Sequence, residues 1–436
     1  MILLVVTVVG AIALATASRR HPAWWICSSI SIAVLLPRTA TRAWFGGAGD
    51  LADVHPAVWF FAAGAGVTLC SRGTREPLPR SVRLLLTGLV AWVAVGVTLC
   101  TVAHGVADGA AFIRIWALPA VAFVAIITAV CADPSRKVVP AVLAAVFALA
   151  AIESVLSLAQ RTVGAAVVFE EYRSPLAWMA RTGRSAGTFD TPLDLGAFLS
   201  MSLAVVGLDP KPWRRCSCAV LLTLGIVCTG SRTAMLLAVV LLLAALFNHR
   251  TSRLSEPVLA AALLAGGLFL ATSAAAASLF ERFGARGSLS TSARELALHT
   301  GLQFVQARPL TGSGLGFSYR WVEANLPSSF ENAYLSLAAG AGTLVFAGLL
   351  GVQVAAVLLV PSRPRFRTRS IGVVAITWGF AYSSYGATNT FGLLAWSFIA
   401  VMVAALVQRP EGGSSSRGEL RGSRRRCPRE AGRALR

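Results

Sequence analysis

Apolar runs of about 15 to 25 residues recur along nearly the whole chain, and each is long enough, or nearly so, to cross a hydrocarbon core of about 30 Å as a helix. Nothing else in the sequence restricts the fold as much. Backbone groups that face lipid must find partners within their own segment, and these runs lack the alternation of a barrel strand, so the spans are helical. With 56% hydrophobic residues, 13% charged and a mean hydropathy of +0.69, the 436-residue chain is too apolar for a soluble domain. The expected fold is an all-α polytopic integral membrane protein. Spans are predicted near 2–17, 23–37, 57–70, 84–102, 115–132, 139–160, 192–208, 216–229, 233–247, 257–277, 333–360, 371–387 and 391–407. That makes about 12 to 13 transmembrane helices, with one of the three short first segments a candidate for an interfacial or re-entrant piece. The run 2–17 has no basic residue before it and no A-x-A-like end, so it reads as a retained helix and not a cleaved signal peptide.

A net charge of +20 raises the question of nucleic acid, but the basic residues stand in short clusters between apolar runs. Their reading is topology, with no nucleic-acid partner. Of 39 Lys and Arg residues, 26 lie in alternate connections: 19–20, 72–83, 136–137, 211–215, 250–253, 363–369 and the tail after 408. The positive-inside rule puts these in the cytoplasm and with them the C-terminus. The division is therefore N-terminal transmembrane helices over 1–160, a first arginine-bearing extracytoplasmic loop over 161–191 and central transmembrane helices over 192–277. A large extracytoplasmic loop over 278–332, C-terminal transmembrane helices over 333–407 and a basic, disordered cytoplasmic tail over 408–436 complete it. Eight cysteines include no C-x-x-C pair and read as small membrane residues, with neither a disulfide framework nor a zinc site. No internal repeat of the kind that marks many secondary transporters is visible.

The anomaly is on the outer face. Nine of the arginines expected there fall in two connections: Arg161, Arg173, Arg181 and Arg184 in the first, and Arg282, Arg286, Arg294, Arg308 and Arg320 in the second. Arg232 starts a helix at a short outer turn. An arginine at the centre of a span costs about 2.5 to 3.5 kcal/mol, so Arg232 belongs at the water boundary. Clustered cations on the side that the orientation rule depletes suggest an anionic ligand. The first loop ends "ARTGRSAGTFDTPLDLGAFL", with Pro192 where a helix would start and Arg184 just before that positive helix end. In the second, Ser292 and Glu295 form an S-x-x-E capping box and Leu298, Leu302 and Val305 recur at helical spacing, predicting a short amphipathic helix at the outer membrane surface with Arg294 in its first turn. "GSGLGF" follows, without the strand a dinucleotide fingerprint needs, and reads as a tight turn back to the bilayer. Glu331 and Asn332 then stand at the mouth of helix 333–360, where an acid is either a dipole contact or a general base. Glu153, inside a span, is a second candidate acid and His299 a weaker third.

Taken in order, "GRSAGTFDTP", "TGSRTAMLLAVV", "SARELALHTGLQFVQARPLTGSGLGF" and "ENAYLSLAAGAG" resemble the O-antigen ligase and O-antigen polymerase family of bacterial envelope glycosyltransferases, over roughly residues 180 to 350. The resemblance implies a C-type glycosyltransferase of the bacterial inner membrane. Such an enzyme moves a glycan from a polyprenyl-diphosphate carrier to a hydroxyl of a glycan or lipid acceptor among membrane lipids, with no cofactor or metal. It carries the family's functional arginines onto Arg232 and Arg294 and sets Arg184 in the polymerase-like first loop motif; the expected catalytic residues are these two arginines with Glu331, and the expected substrate contacts Arg181, Arg184 and Asn332. Family ligases begin the late motif with a histidine, whereas here Glu331 precedes Asn332. The residue types suit that chemistry independently. Fixed guanidinium forks stabilise the charge gathering on a departing diphosphate, and a carboxylate can accept the acceptor's proton. Two other readings remain open at this point, a transporter or flippase for a lipid-linked or anionic substrate, and a non-catalytic scaffold of envelope polysaccharide assembly.

Overall fold

The structure, a computed structural model, describes residues 2–45, 53–71, 78–133, 135–164, 168–169, 183–208, 211–247, 285–326, 329–360, 366–383, 385–386 and 390–407. Among them every regular element is helical. The first part runs α1 (Ile2–Ala17), α2 (Pro22–Leu35), α3 (Arg38–Phe45), α4 (Pro56–Cys70) and α5 (Arg80–His104). Next, α6 (Val106–Phe112) passes through a π-helical turn, Ile113–Ala117, and a 3-10 turn, Leu118–Ala120, into α7 (Val121–Ala132), followed by α8 (Val138–Val163). The second part comprises α9 (Pro192–Val206), α10 (Pro212–Thr229), α11 (Arg232–Phe247), α12 (Ala285–Ala307), α13 (Leu315–Asn325), α14 (Ala333–Ala341), α15 (Thr343–Leu359), α16 (Phe366–Gly379) and α17 (Thr390–Val407).

Among the described residues three segments are long and apolar enough to cross a membrane, namely α5, the continuous stretch Val106–Ala132 and α8, and shorter apolar helices pack beside them. The chain is an all-α polytopic membrane protein. Two helices that are apolar all round form the buried axis, as such helices must. Every side chain from Phe391 to Ala404 in α17 and from Asp194 to Val206 in α9 is buried. Around them α1, α5 and α11 turn valines and leucines outward, Val9, Leu84, Val90 and Leu236 among them, as a surface facing lipid tails requires. The early segments expected to include a re-entrant piece do contain a sharp break, with α2 and α3 meeting at 96°. Pro37 is the cause, since proline pushes the residue before it out of helical geometry.

Several sequence expectations change in detail. The second-loop helix begins at Ala285, so Ser292 and Glu295 lie inside it, form no cap, and Arg294 is not in its first turn. Extending a formed helix adds a bond per residue fixed, and no proline intervenes before 309 to stop it. Its expected stripe is also turned. Leu298 and Leu302 are 46% and 43% exposed, while Ala297, Thr300 and Gly301 are buried. A Cβ on Gly301 would lie 2.6 Å from Leu335 Cδ2, so small residues, not leucines, let this helix close on α14. Helix 333–360 is broken at Gly342 into α14 and α15, and α13 follows "GSG" where only a turn was expected. Segment 257–277, Arg181 and the tail 408–436 lie outside the described residues.

Candidate active site

Residues 183–191 owe their shape to one face of α8. Glu153, Ser157 and Gln160 stand at helical spacing on that face, all buried. The Glu153 carboxylate accepts from the Thr188 amide at 2.9 Å and the Thr188 hydroxyl at 2.5 Å. Gln160 accepts from the amides of Ala186 and Gly187 at 3.1 and 2.9 Å and donates to the Gly187 carbonyl at 2.7 Å. Ser185 donates to the Ser157 carbonyl at 2.8 Å. A loop carries orphan backbone groups that a buried site must satisfy, and polar side chains inside a span exist here to satisfy them. Glu153, weighed above as an acid for catalysis, is thus a loop anchor. The loop's other end repeats the logic: Asp190 accepts from the amides of Arg38 and Thr39 at 2.6 and 3.0 Å, capping α3, and Thr191 caps α9, which starts at Pro192 as the sequence predicted.

Arg184 takes a structural position. Its Nε donates to the carbonyl of Thr229 at 2.8 Å, at the C-terminal end of α10 where unpaired carbonyls favour a cation. The Ser185 amide reaches the next carbonyl, that of Cys228, at 3.0 Å. The first loop is thereby stapled to the turn that starts α11, whose first residue is Arg232.

"GSGLGF" serves a second junction. Gly342 has φ +97° and ends α14, and the freed carbonyls of Ala339 and Gly340 accept from the amides of Ser313 and Gly314 at 2.8 and 3.0 Å. Thr343 N donates to the Pro309 carbonyl at 2.8 Å. Two stretches of backbone therefore lie edge to edge, a seam that only glycines permit, since a Cβ on Gly342 would fall 2.0 Å from the Leu310 carbonyl oxygen. The seam fixes α13 and α12 against α14.

At the head of α14 the structure joins two of the predicted catalytic residues. Arg294 Nε donates to Glu331 Oε2 in an ion pair, with 51% and 29% of the two side chains exposed. Glu331 sits at φ +49°, a conformation uncommon for a residue that is not Gly, Asn or Asp and one met often at functional sites. Asn332 caps α14, its side chain accepting from the Leu335 amide at 3.0 Å. This cap is what presents Glu331 immediately outside the helix end. Behind it, Tyr334 donates to Gln353 at 2.6 Å and meets Tyr385, and separately Tyr382 donates to Asp194 of α9, two buried polar groups that the sequence reading did not find. Arg232 and Arg294 belong to different helix groups: α11 packs on α9, α10 and α16, and α12 on α14. His299 is exposed on α12. Sequence reasoning also missed Arg38 and Arg114, which with Arg320 line a cavity of about 980 Å³ between α3, α6 and α13. Their only signal was their number on the side expected to be depleted in arginine.

Residues 217–350 match the O-antigen ligase family. The match supports placing the chain in that family and an O-antigen ligase-like role in envelope polysaccharide assembly, and with the apolar helices it supports a multi-pass bacterial membrane protein. No curated protein matches the chain. The O-antigen ligase match holds both members of the Arg294–Glu331 pair, Arg232, Asn332 and the glycine seam, and leaves out Arg184, Arg38 and Arg114. A guanidinium steered by a carboxylate is fixed in direction, which is what stabilising a developing negative charge requires of it.

Proposed function

We propose that the protein transfers or polymerises a polyprenyl-diphosphate-linked glycan onto an acceptor hydroxyl at the outer face of the cytoplasmic membrane, with the C-terminus inside. The acceptor oxygen attacks the anomeric carbon, the bond from that carbon to the diphosphate oxygen breaks, and the acceptor's proton passes to Glu331. Arg294 and Arg232 hold the charge that collects on the departing carrier diphosphate. The activated leaving group is already in the donor, so no nucleotide sugar enters the step. The observation that carries this reading is the Arg294–Glu331 contact, which joins residues 37 positions apart within the matched region into one acid–cation unit. Arg184 and Asn332 act as positioning residues, one through the turn before Arg232 and the other through the end of α14.

The test is glycan transfer by the purified chain in detergent, with a polyprenyl-diphosphate glycan as donor and no ion gradient. Arg232→Lys is expected to abolish transfer while leaving membrane insertion intact, because a lysine is a point charge without the fork. Glu331→Gln is expected to lose activity and Glu331→His to retain part of it. A fully active Arg232→Lys variant, or donor moved across a membrane with its covalent structure unchanged, overturns the reading.

A further inference from the structure

The cavity of about 980 Å³ is not used by the transfer step, and it stands at the upper end of the roughly 300–1,000 Å³ common for ligand pockets. Its walls alternate in charge. Arg38 comes from α3, Asp108 and Arg114 from α6 and the π-helical turn, and Tyr319, Arg320 and Glu323 from one face of α13. Asp53, paired with Arg38 at 3.5 Å, completes a lining whose charges balance beside apolar Ile113, Ile115 and Leu118, too balanced to favour a bare anion. It suits a ligand that offers donors and acceptors side by side along its length. A sugar hydroxyl does this, donating to a carboxylate while it accepts from a guanidinium, and Tyr319 adds a flat apolar face with a polar tip.

The walls are held in place. Asp108 accepts from the Gly316 amide at 3.2 Å, Arg320 Nε donates to the Gly316 carbonyl at 2.9 Å, and the Arg38 backbone is fixed by the Asp190 cap. Gly314 and Gly316 allow this approach, since a Cβ on either would meet the Asp108 carboxylate at 2.7 and 3.0 Å. Arg114 is on a π-helical turn, an arrangement frequent at functional sites. The cavity is also joined to the ion pair: Ser336 donates to the Tyr319 hydroxyl at 3.3 Å, one turn along the helix that Asn332 caps beside Glu331.

We propose that this cavity binds the oligosaccharide portion of a substrate, holding a hydroxyl-rich chain between the guanidiniums and carboxylates of α3, α6 and α13. The inference rests on the glycan-transfer reading above. Its test uses the full chain in detergent and, as probe, oligosaccharide released by mild acid from the envelope polysaccharide of the producing cells. Arg320→Ala and Glu323→Ala alter exposed side chains, and Ala111→Trp fills the cavity from its wall. Each is expected to weaken oligosaccharide binding at least tenfold with binding of inorganic diphosphate unchanged, whereas Arg294→Ala weakens diphosphate binding and spares the oligosaccharide. Displacement of bound oligosaccharide by the polyprenyl-diphosphate glycan assigns the cavity to the donor's glycan, and simultaneous binding of both assigns it to the acceptor's; either supports the proposal. Wild-type oligosaccharide affinity in all three cavity variants, in a chain that still transfers glycan, overturns the cavity assignment alone. Cavity-dependent oligosaccharide binding by a chain that transfers none overturns the transfer reading and leaves the cavity assignment standing.

Discussion

Replacing Gly312 by alanine strikes the seam that carries the Glu331 helix. Gly312 has φ +66°, and an L-residue in the left-handed region costs roughly 1–2 kcal/mol. The added Cβ would lie 2.4 Å from both the carbonyl carbon and oxygen of Gly340 and 2.7 Å from the Ala341 nitrogen. All three are backbone atoms, so no side chain can swing aside, and forced overpacking of that kind costs roughly 1–3 kcal/mol. Together these give roughly 2–5 kcal/mol, a large share of the roughly 5–15 kcal/mol that separates a folded domain from its unfolded chain. Gly351→Ala is the control. Nothing lies within 4 Å of a Cβ there, in the middle of α15, so alanine's better helix propensity should leave stability unchanged or raise it by up to about 1 kcal/mol. Thermal melting of both purified variants in one detergent, followed by tryptophan fluorescence, is expected to place Gly312→Ala several degrees below wild type and Gly351→Ala at or above it. Two variants that melt together would refute the steric account of the seam.

Glu331→Gln should separate stability from activity: the ion pair is half-exposed, so the change costs within about 1 kcal/mol of stability, while loss of a general base lowers transfer about 10²- to 10⁴-fold in the same preparation. Gln160→Leu removes three hydrogen bonds in a buried place, those to the amides of Ala186 and Gly187 and to the Gly187 carbonyl, at about 0.5–1.5 kcal/mol for each bond lost. Its melting point should fall further than that of any substitution at exposed His299, and limited proteolysis should begin cutting near residue 185. Asp133, in the connection between α7 and α8, is pushed up by burial, but hydrogen bonds from Ser135, Lys137 and Val138 outweigh that and hold its carboxyl below the usual range. The stability it supplies is complete above the unfolded-state value of about 3.9 and fades as pH falls through the lower folded value. Melting curves of wild type and Asp133→Asn should therefore differ near neutral pH and converge as the medium becomes strongly acidic.

The sequence by itself determined the class of fold and most helix boundaries, because lipid leaves a backbone no alternative to the helix and proline marks helix starts at 22, 56 and 192, whereas the break at Gly342 was not legible in it. It also singled out Glu331 as an acid at a helix mouth and, through the family resemblance, Arg294. What it could not decide was who meets whom. The sequence did not show that Arg184 Nε would reach the Thr229 carbonyl at the end of α10, or that the Asn332 side chain would cap α14. "GSGLGF" reads as a turn and folds as half of a seam. In each case the partner is a backbone group tens of residues away or at a helix end, and backbone groups are the same in every residue. Tertiary structure alone decides which of them remain unpaired, and so which polar side chains satisfy them.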